Sequence, residues 1–145
     1  MITDIEKNTL LSTSINARNN AFAHRSNHSF GAAILTTDGQ IFGGCNTEGV
    51  ISGLGLCAER SAIDHAVVHG KYEFKALFVI DEKQNFPCGA CLQYLCLFSQ
   101  INSHDIEIYA SDLDGNCQMK LLSELLPFAY KTKSNLDIIR SYKNK

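Results

Sequence analysis

At 145 residues the chain has room for one ordinary domain with a real core, because the buried fraction of a protein rises with its length. Apolar residues make up 45% and charged residues 19%, and no apolar run approaches the ~20 residues that a membrane helix needs. The formal net charge is −2 and the 13 Lys and Arg are scattered, apart from a modest cluster at Lys131, Lys133, Arg140, Lys143 and Lys145, which argues against a surface for nucleic acid or another polyanion.

The first twenty residues mix acids, Lys7, Arg18 and many polar side chains, unlike a secretion signal or a transit peptide, so a cytoplasmic location is expected. In a reducing compartment the 6 cysteines are read as metal ligands or reactive groups before disulfides. Ile2, Ile5, Leu11, Ile15, Ala17 and Phe22 recur at roughly helical spacing, with Thr3 or Asp4 as cap, and predict one amphipathic opening helix. Next, Gly31 to Thr37 and Gln40 to Asn46 flank Asp38-Gly39, a strong hairpin signal because Gly accepts the positive φ of a tight turn. The glycines between Gly43 and Gly55 lack the Gly-Lys-Ser/Thr ending of a phosphate loop.

Cys57 to Gly70 is a run of helix formers with a Gly stop, and Phe74 to Asp81 is a short apolar run of buried-strand type. Pro87, tolerated in a first turn, opens a second helix from Cys88 to about Phe98. Asp105 to Ala110 alternates as a strand, Asp112 to Asn116 is a turn, and a final helix covers Ser134 to Ser141. This order predicts a single α/β domain over residues 1–145, a three-layer α-β-α sandwich with a central mixed sheet.

Two segments carry the chemistry: Cys57-Ala58-Glu59 at one helix start and Pro87-Cys88-Gly89-Ala90-Cys91 at the other. Cys88 and Cys91, three apart, share a helix face, so two thiolates can converge on one ion while Cys57 brings a third from another element. Three protein ligands with an open fourth position is the pattern of catalytic zinc; structural sites close it with a fourth Cys or His. One Zn2+ per chain is therefore expected. Both helix N-termini favour the thiolate forms, and Arg60 can hydrogen-bond the sulfurs to offset the excess of three thiolates over a dication.

Glu59 lies about 200° around an ideal helix from Cys57, so both face a metal only if it sits off the helix end, with the Cys at the first position. A carboxylate there can take a proton from a zinc-activated water and return it elsewhere. Cys45, Cys96 and Cys117 have no partner motif and read as buried thiols. His65 and His69, four apart, lack a third ligand and read as an ordinary helix pair.

Cys-Ala-Glu followed by Pro-Cys-x-x-Cys resembles the all-cysteine signature of the zinc nucleoside and nucleobase deaminases. Gly31-Ala32-Ala33, Asn46-x-Glu48, Cys57-Ala-Glu-Arg60, Pro87-Cys-Gly-Ala-Cys91 and Glu124-Leu-Leu-Pro127 resemble, in that order, the small homotetrameric cytidine deaminases. The resemblance spans about Phe22 to Tyr130. It implies a cytidine deaminase-like fold, ribose contacts at Asn46 and Glu48, backbone groups near Ala58 and Phe86 that read the pyrimidine edge, and Tyr130 as the aromatic reaching a neighbouring subunit's pocket. The chain departs from the family pattern at His28, Gly49, Phe86 and Leu92, where Phe, Asn, Ser or Thr, and Arg are usual. These departures leave the chemistry intact and bear on sugar and base specificity.

The function so implied is hydrolysis of cytidine and 2'-deoxycytidine to the uridine nucleosides and ammonia, with a small-molecule nucleoside as partner and a homotetramer with shared active sites. The alternative is a blasticidin S deaminase, a group that shares the metal motif and the Leu-Leu-Pro element, or a deaminase of another aminated nucleoside. An editing module acting on nucleic acid fits poorly with the acidic balance and few aromatics. A non-catalytic zinc-binding interaction protein would leave Glu59 without a purpose.

Overall fold

The structure is a computed structural model and describes residues 1–102 and 104–144. Helix α1 (Asp4–Arg18) starts at a capping box: the Thr3 hydroxyl accepts from the Glu6 N–H at 3.2 Å, and the Glu6 carboxylate accepts from the Thr3 N–H at 2.7 Å. Strands β1 (Gly31–Thr36) and β2 (Ile41–Cys45) form the expected hairpin. Its turn carries Gly39 at φ 86°, a conformation that glycine alone adopts without a Cβ penalty.

Helix α2 (Ala58–Val68), strand β3 (Phe74–Ile80), helix α3 (Gly89–Ser99) and strand β4 (Glu107–Ser111) follow. The sheet runs β2-β1-β3-β4-β5, with β5 at Cys117–Leu121, and is antiparallel except for the β3–β4 pair. A parallel pair needs a crossover connection, and α3 supplies it.

Alternation along the strands sorts the core into two layers. Ala33, Leu35, Ala76, Phe78 and Tyr109 pack with Leu10 beneath α1, while Ala32, Ile34, Leu77, Val79 and Ile108 pack with Ala62, Ile63, Ala66, Leu92 and Leu95 beneath α2 and α3. Every residue of β1 is buried, since this strand is covered on both faces. The mixed α-β-α sandwich is the predicted architecture, and no described helix is long and apolar enough to cross a membrane.

One close approach sets the position of α2. A Cβ on Gly44 would lie 2.2 Å from the Ala62 nitrogen and 2.6 Å from the Ala58 carbonyl oxygen, so only glycine lets the helix lie this close to β2. The first turn of α2 is thereby pinned to the sheet.

Four features differ from the sequence expectation. Pro87 precedes the cap of α3 instead of occupying its first turn, because the N-cap is Cys88 in extended geometry. Strand β5 (Cys117–Leu121) and the short helix α4 (Leu122–Leu125) were not predicted. The three central residues of β5 are exposed, so its sequence carries no apolar alternation, and Lys120 suits an unpaired edge. The last helix, α5 (Leu136–Arg140), is shorter than predicted and passes into a 3-10 turn over Ser141–Asn144.

Candidate active site

Cys57 and Cys88 are the N-caps of α2 and α3, both extended (φ −72°, ψ 152° and φ −67°, ψ 162°) and neither making a side-chain cap bond. This is one residue earlier than expected for Cys57, and it resolves the angular problem with Glu59: only Glu59 lies on the helical screw, so its angle to Cys57 is not bound to helix geometry. Cys91 is buried in the first turn of α3. The three sulfurs lie within 4.8 Å of one another, with Cys88 Sγ 3.6 Å from Cys91 Sγ. The Pro87 ring holds Phe86 to extended backbone and so fixes the approach to Cys88.

The electrostatics of the trio are lopsided. A hydrogen bond from the Cys91 thiol draws the Cys57 thiol down to about 5 against its own burial, with Arg60 adding to the effect. The same hydrogen bond, with burial and the Glu59 charge, pushes Cys91 far above the ordinary thiol range. Arg60 Nη2 donates to Cys57 Sγ at 3.8 Å, and the Arg60 Nε is buried with no hydrogen-bond partner. An unpartnered guanidinium N–H beside these thiols suits a site that carries more thiolate charge than one.

Zinc fits this donor set. Bonds of about 2.3 Å in a tetrahedron place sulfurs about 3.8 Å apart, close to the spacing present here. Among the described residues no further Cys, His or carboxylate joins the trio, so a fourth position is left for a small molecule. A coordinated thiol is deprotonated outright, which would bring the remaining sulfurs to the charge state that Arg60 is placed to meet.

Glu59 is 6% exposed. Burial pushes its carboxyl up to about 7, with the Cys57 charge adding to the rise. It lies in the wall of a cavity of about 510 Å³ together with Cys57, Ala58, Cys88 and Phe86. That volume suits a small organic ligand.

Asn46 and Glu48 line the same cavity. The Asn46 Oδ1 accepts from the Phe30 N–H at 2.8 Å and its Nδ2 donates to the His28 carbonyl at 3.0 Å, which leaves one N–H and one lone pair for a ligand. Glu48 accepts from the Arg25 N–H at 2.7 Å, the Ser26 N–H at 3.0 Å and the Ser26 hydroxyl. These bonds, the Ser26 hydroxyl first, hold the Glu48 carboxyl below its ordinary range.

Tyr130 stands apart. Its side chain is 78% exposed and absent from the cavity wall, while its backbone N–H and carbonyl are both held by the Gln93 carboxamide, at 2.9 and 2.7 Å.

The other cysteines remain free thiols away from the trio. His65 and His69 turn their Nδ1 atoms to the carbonyls of Gly43 and His65, at 2.9 and 2.8 Å, and pack on Phe42. Phe30 and Asn85 also line the cavity and were not picked out in the sequence. Asp81, followed four residues later by an Asn before the Pro-Cys pair, was the available signal for Asn85. Nothing local marks Phe30.

Comparison with known proteins adds an independent line. Residues 5–104 match the family model described as the cytidine and deoxycytidylate deaminase zinc-binding region. A cytidine deaminase from Sporosarcina psychrophila is 36% identical over 88% of this chain and 91% of its own length. The crystal structure of cytidine deaminase from Burkholderia pseudomallei superimposes with a TM-score of 0.79 at 34% identity, covering 89% of this chain and all of that one. A more distant relative, a blasticidin-S deaminase from Bacillus cereus, is 28% identical over 71% of this chain and 77% of that protein.

Proposed function

This chain belongs to the cytidine and deoxycytidylate deaminase family, a family of zinc-binding enzymes, and we propose that it converts cytidine and 2'-deoxycytidine to uridine and 2'-deoxyuridine through Glu59. The observation that carries the reading is a buried carboxyl in the same cavity wall as two members of an open three-thiol cluster. Cys57, Cys88 and Cys91 would hold zinc, which when bound would make a water acidic enough to act as nucleophile at neutral pH.

Glu59 takes a proton from the attacking water and passes it to ring N3 of the substrate. The oxygen joins C4 as the ring nitrogen gains that proton. Glu59 then takes the remaining proton from the oxygen on C4 and hands it to the amino group, and the C4–N bond breaks as the C4 carbonyl forms, so that ammonia leaves. Low dielectric around the buried carboxyl strengthens each transfer, and a carboxyl that ionises near neutrality can act as base and acid within one turnover. Arg60 balances the thiolate charge.

Asn46 and Glu48 meet the sugar hydroxyls. Glu48 is already oriented by Arg25 and Ser26, so little order is lost when a nucleoside arrives. Backbone groups of Ala58 and Phe86 meet the pyrimidine edge. A pocket built around buried hydroxyl partners rejects a ligand lacking them, so kcat/KM for cytidine is expected to exceed that for free cytosine by about 10⁴-fold. Release of uridine and ammonia from cytidine, cytosine and blasticidin S, assayed side by side with zinc-loaded protein, checks this. Equal efficiency on cytosine would remove the sugar contacts, and preference for blasticidin S would place the chain with that branch of the family.

The exposed Tyr130, held by its backbone at the rim of α3, suits a side chain that closes a neighbour's pocket in a cytoplasmic homotetramer. Tyr130→Ala is then expected to raise KM about tenfold with zinc retained, and wild-type activity to fall on dilution into monomers. Light scattering showing a fully active monomer would overturn the shared pocket.

A further inference from the structure

Asp81 follows the last residue of β3 and is completely buried, yet the mechanism gives it nothing to do. Its carboxylate serves two partners on different segments. Oδ1 accepts from the Asn85 N–H at 2.8 Å and Oδ2 from the Asn85 Nδ2 at 2.7 Å, while Oδ2 also lies 3.2 Å from His28 Nε2.

The Asn85 bonds close the turn after β3, where Gln84 adopts a left-handed φ of 56°, a conformation that needs a fixed anchor in a residue other than glycine. Capping that turn requires nothing from His28, which is distant in sequence. His28 is instead stacked on Phe30, ring centroids 4.6 Å apart and 8° from parallel. Phe30 and Phe86 are the two aromatic side chains in the cavity wall, and Asn85, the neighbour of Phe86, lines it too. A chain of contacts therefore runs from Phe30 through His28, Asp81 and Asn85 to Phe86, with Asn46 gripping its first end at the Phe30 N–H and the His28 carbonyl.

We propose that Asp81 is a positioning residue for substrate: through His28 and Asn85 it holds the Phe30 and Phe86 walls in register, so that a planar base meets two preset faces. The proposal rests on the reading of this cavity as a nucleoside pocket. A strut of this kind acts on binding of the base and not on proton transfer, since none of its members touches Glu59 or a cysteine sulfur through a hydrogen bond.

The test uses zinc-loaded full-length protein and cytidine. His28→Phe keeps a flat ring on Phe30 but removes the nitrogen that meets Asp81, and it is expected to raise KM about tenfold with kcat within about twofold, the loss of one charge-assisted hydrogen bond. His28→Gln, whose amide can still donate to Asp81, is expected to recover most of the affinity. Asn85→Ala, which removes the Nδ2 bond to Asp81 but keeps the backbone N–H bond, is expected to raise KM in the same way, with thermal unfolding confirming that the variant is folded. The double variant His28→Phe/Asn85→Ala is expected to be no worse than the weaker single one, because both break one strut. An active wild type with His28→Phe and Asn85→Ala both within twofold of its KM overturns the strut alone. Additive effects of the two substitutions do the same, and a wild type inactive on cytidine overturns the nucleoside reading together with it.

Discussion

Glu59→Gln is expected to bind a full complement of zinc and to lose about 10⁴-fold in kcat, the upper range for a positioned acid–base group. Glutamine has the size and hydrogen-bonding reach of glutamate, so it can occupy the same buried place in the cavity wall, but it has no proton to give or take in the working range. Removing the carboxyl also relieves the desolvation that raises its ionisation to about 7, so the variant is expected to fold at least as stably as the parent. Cytidine consumption followed by ultraviolet absorbance gives kcat, elemental analysis gives zinc, and thermal unfolding gives stability. A kcat within tenfold of wild type would show that another group moves the proton.

Cys88→Ala and Cys91→Ala are each expected to drop zinc from one per chain to a trace after dialysis, and activity with it. Two thiolates hold the ion far less tightly than three, and the substitution removes one arm of a site whose binding energy is also folding energy. The two variants should differ in stability. Cys91 is buried beside Cys57 and Glu59, so its loss opens space beneath the site, whereas Cys88 is exposed. Cys96→Ala is the control: this buried thiol sits in the core of α3 away from the trio, and its loss is expected to cost about 1 kcal/mol while leaving zinc and kcat in place. Zinc lost equally from all three variants would mean that the metal reports on general unfolding and not on these ligands.

The cysteine trio and the Glu59 beside it were legible in the sequence as a candidate site because their geometry is local. Cys88 and Cys91 lie on one turn, Cys57 and Glu59 on another, and the helix starts that orient them announce themselves through Pro87, the small residues and the run of helix formers. The hairpin at Asp38-Gly39 and the capping box at Thr3 are local in the same sense. Each depends on residues within four positions of one another, and backbone sterics decide it without help from the rest of the chain. Alternation and helix order, read together, were enough for a mixed sheet between two helical layers.

Strand β5 escaped because an exposed edge strand needs no apolar pattern; its pairing with β4 is decided by what the β4 edge offers. The cap position of Cys57, one residue outside the helix, and the close packing of α2 on Gly44 of β2 were not encoded in sequence spacing. The same holds for the cavity wall. Phe30 and Asn85 come from segments far apart in the chain, and the pairing of β1 with β3 brings those segments side by side. Sequence alone thus placed the candidate chemical groups, since the three cysteines and Glu59 sit in two short stretches. Tertiary structure decided the shape of the space beside them, because a cavity is bounded by whichever distant surfaces the sheet and its helices draw together.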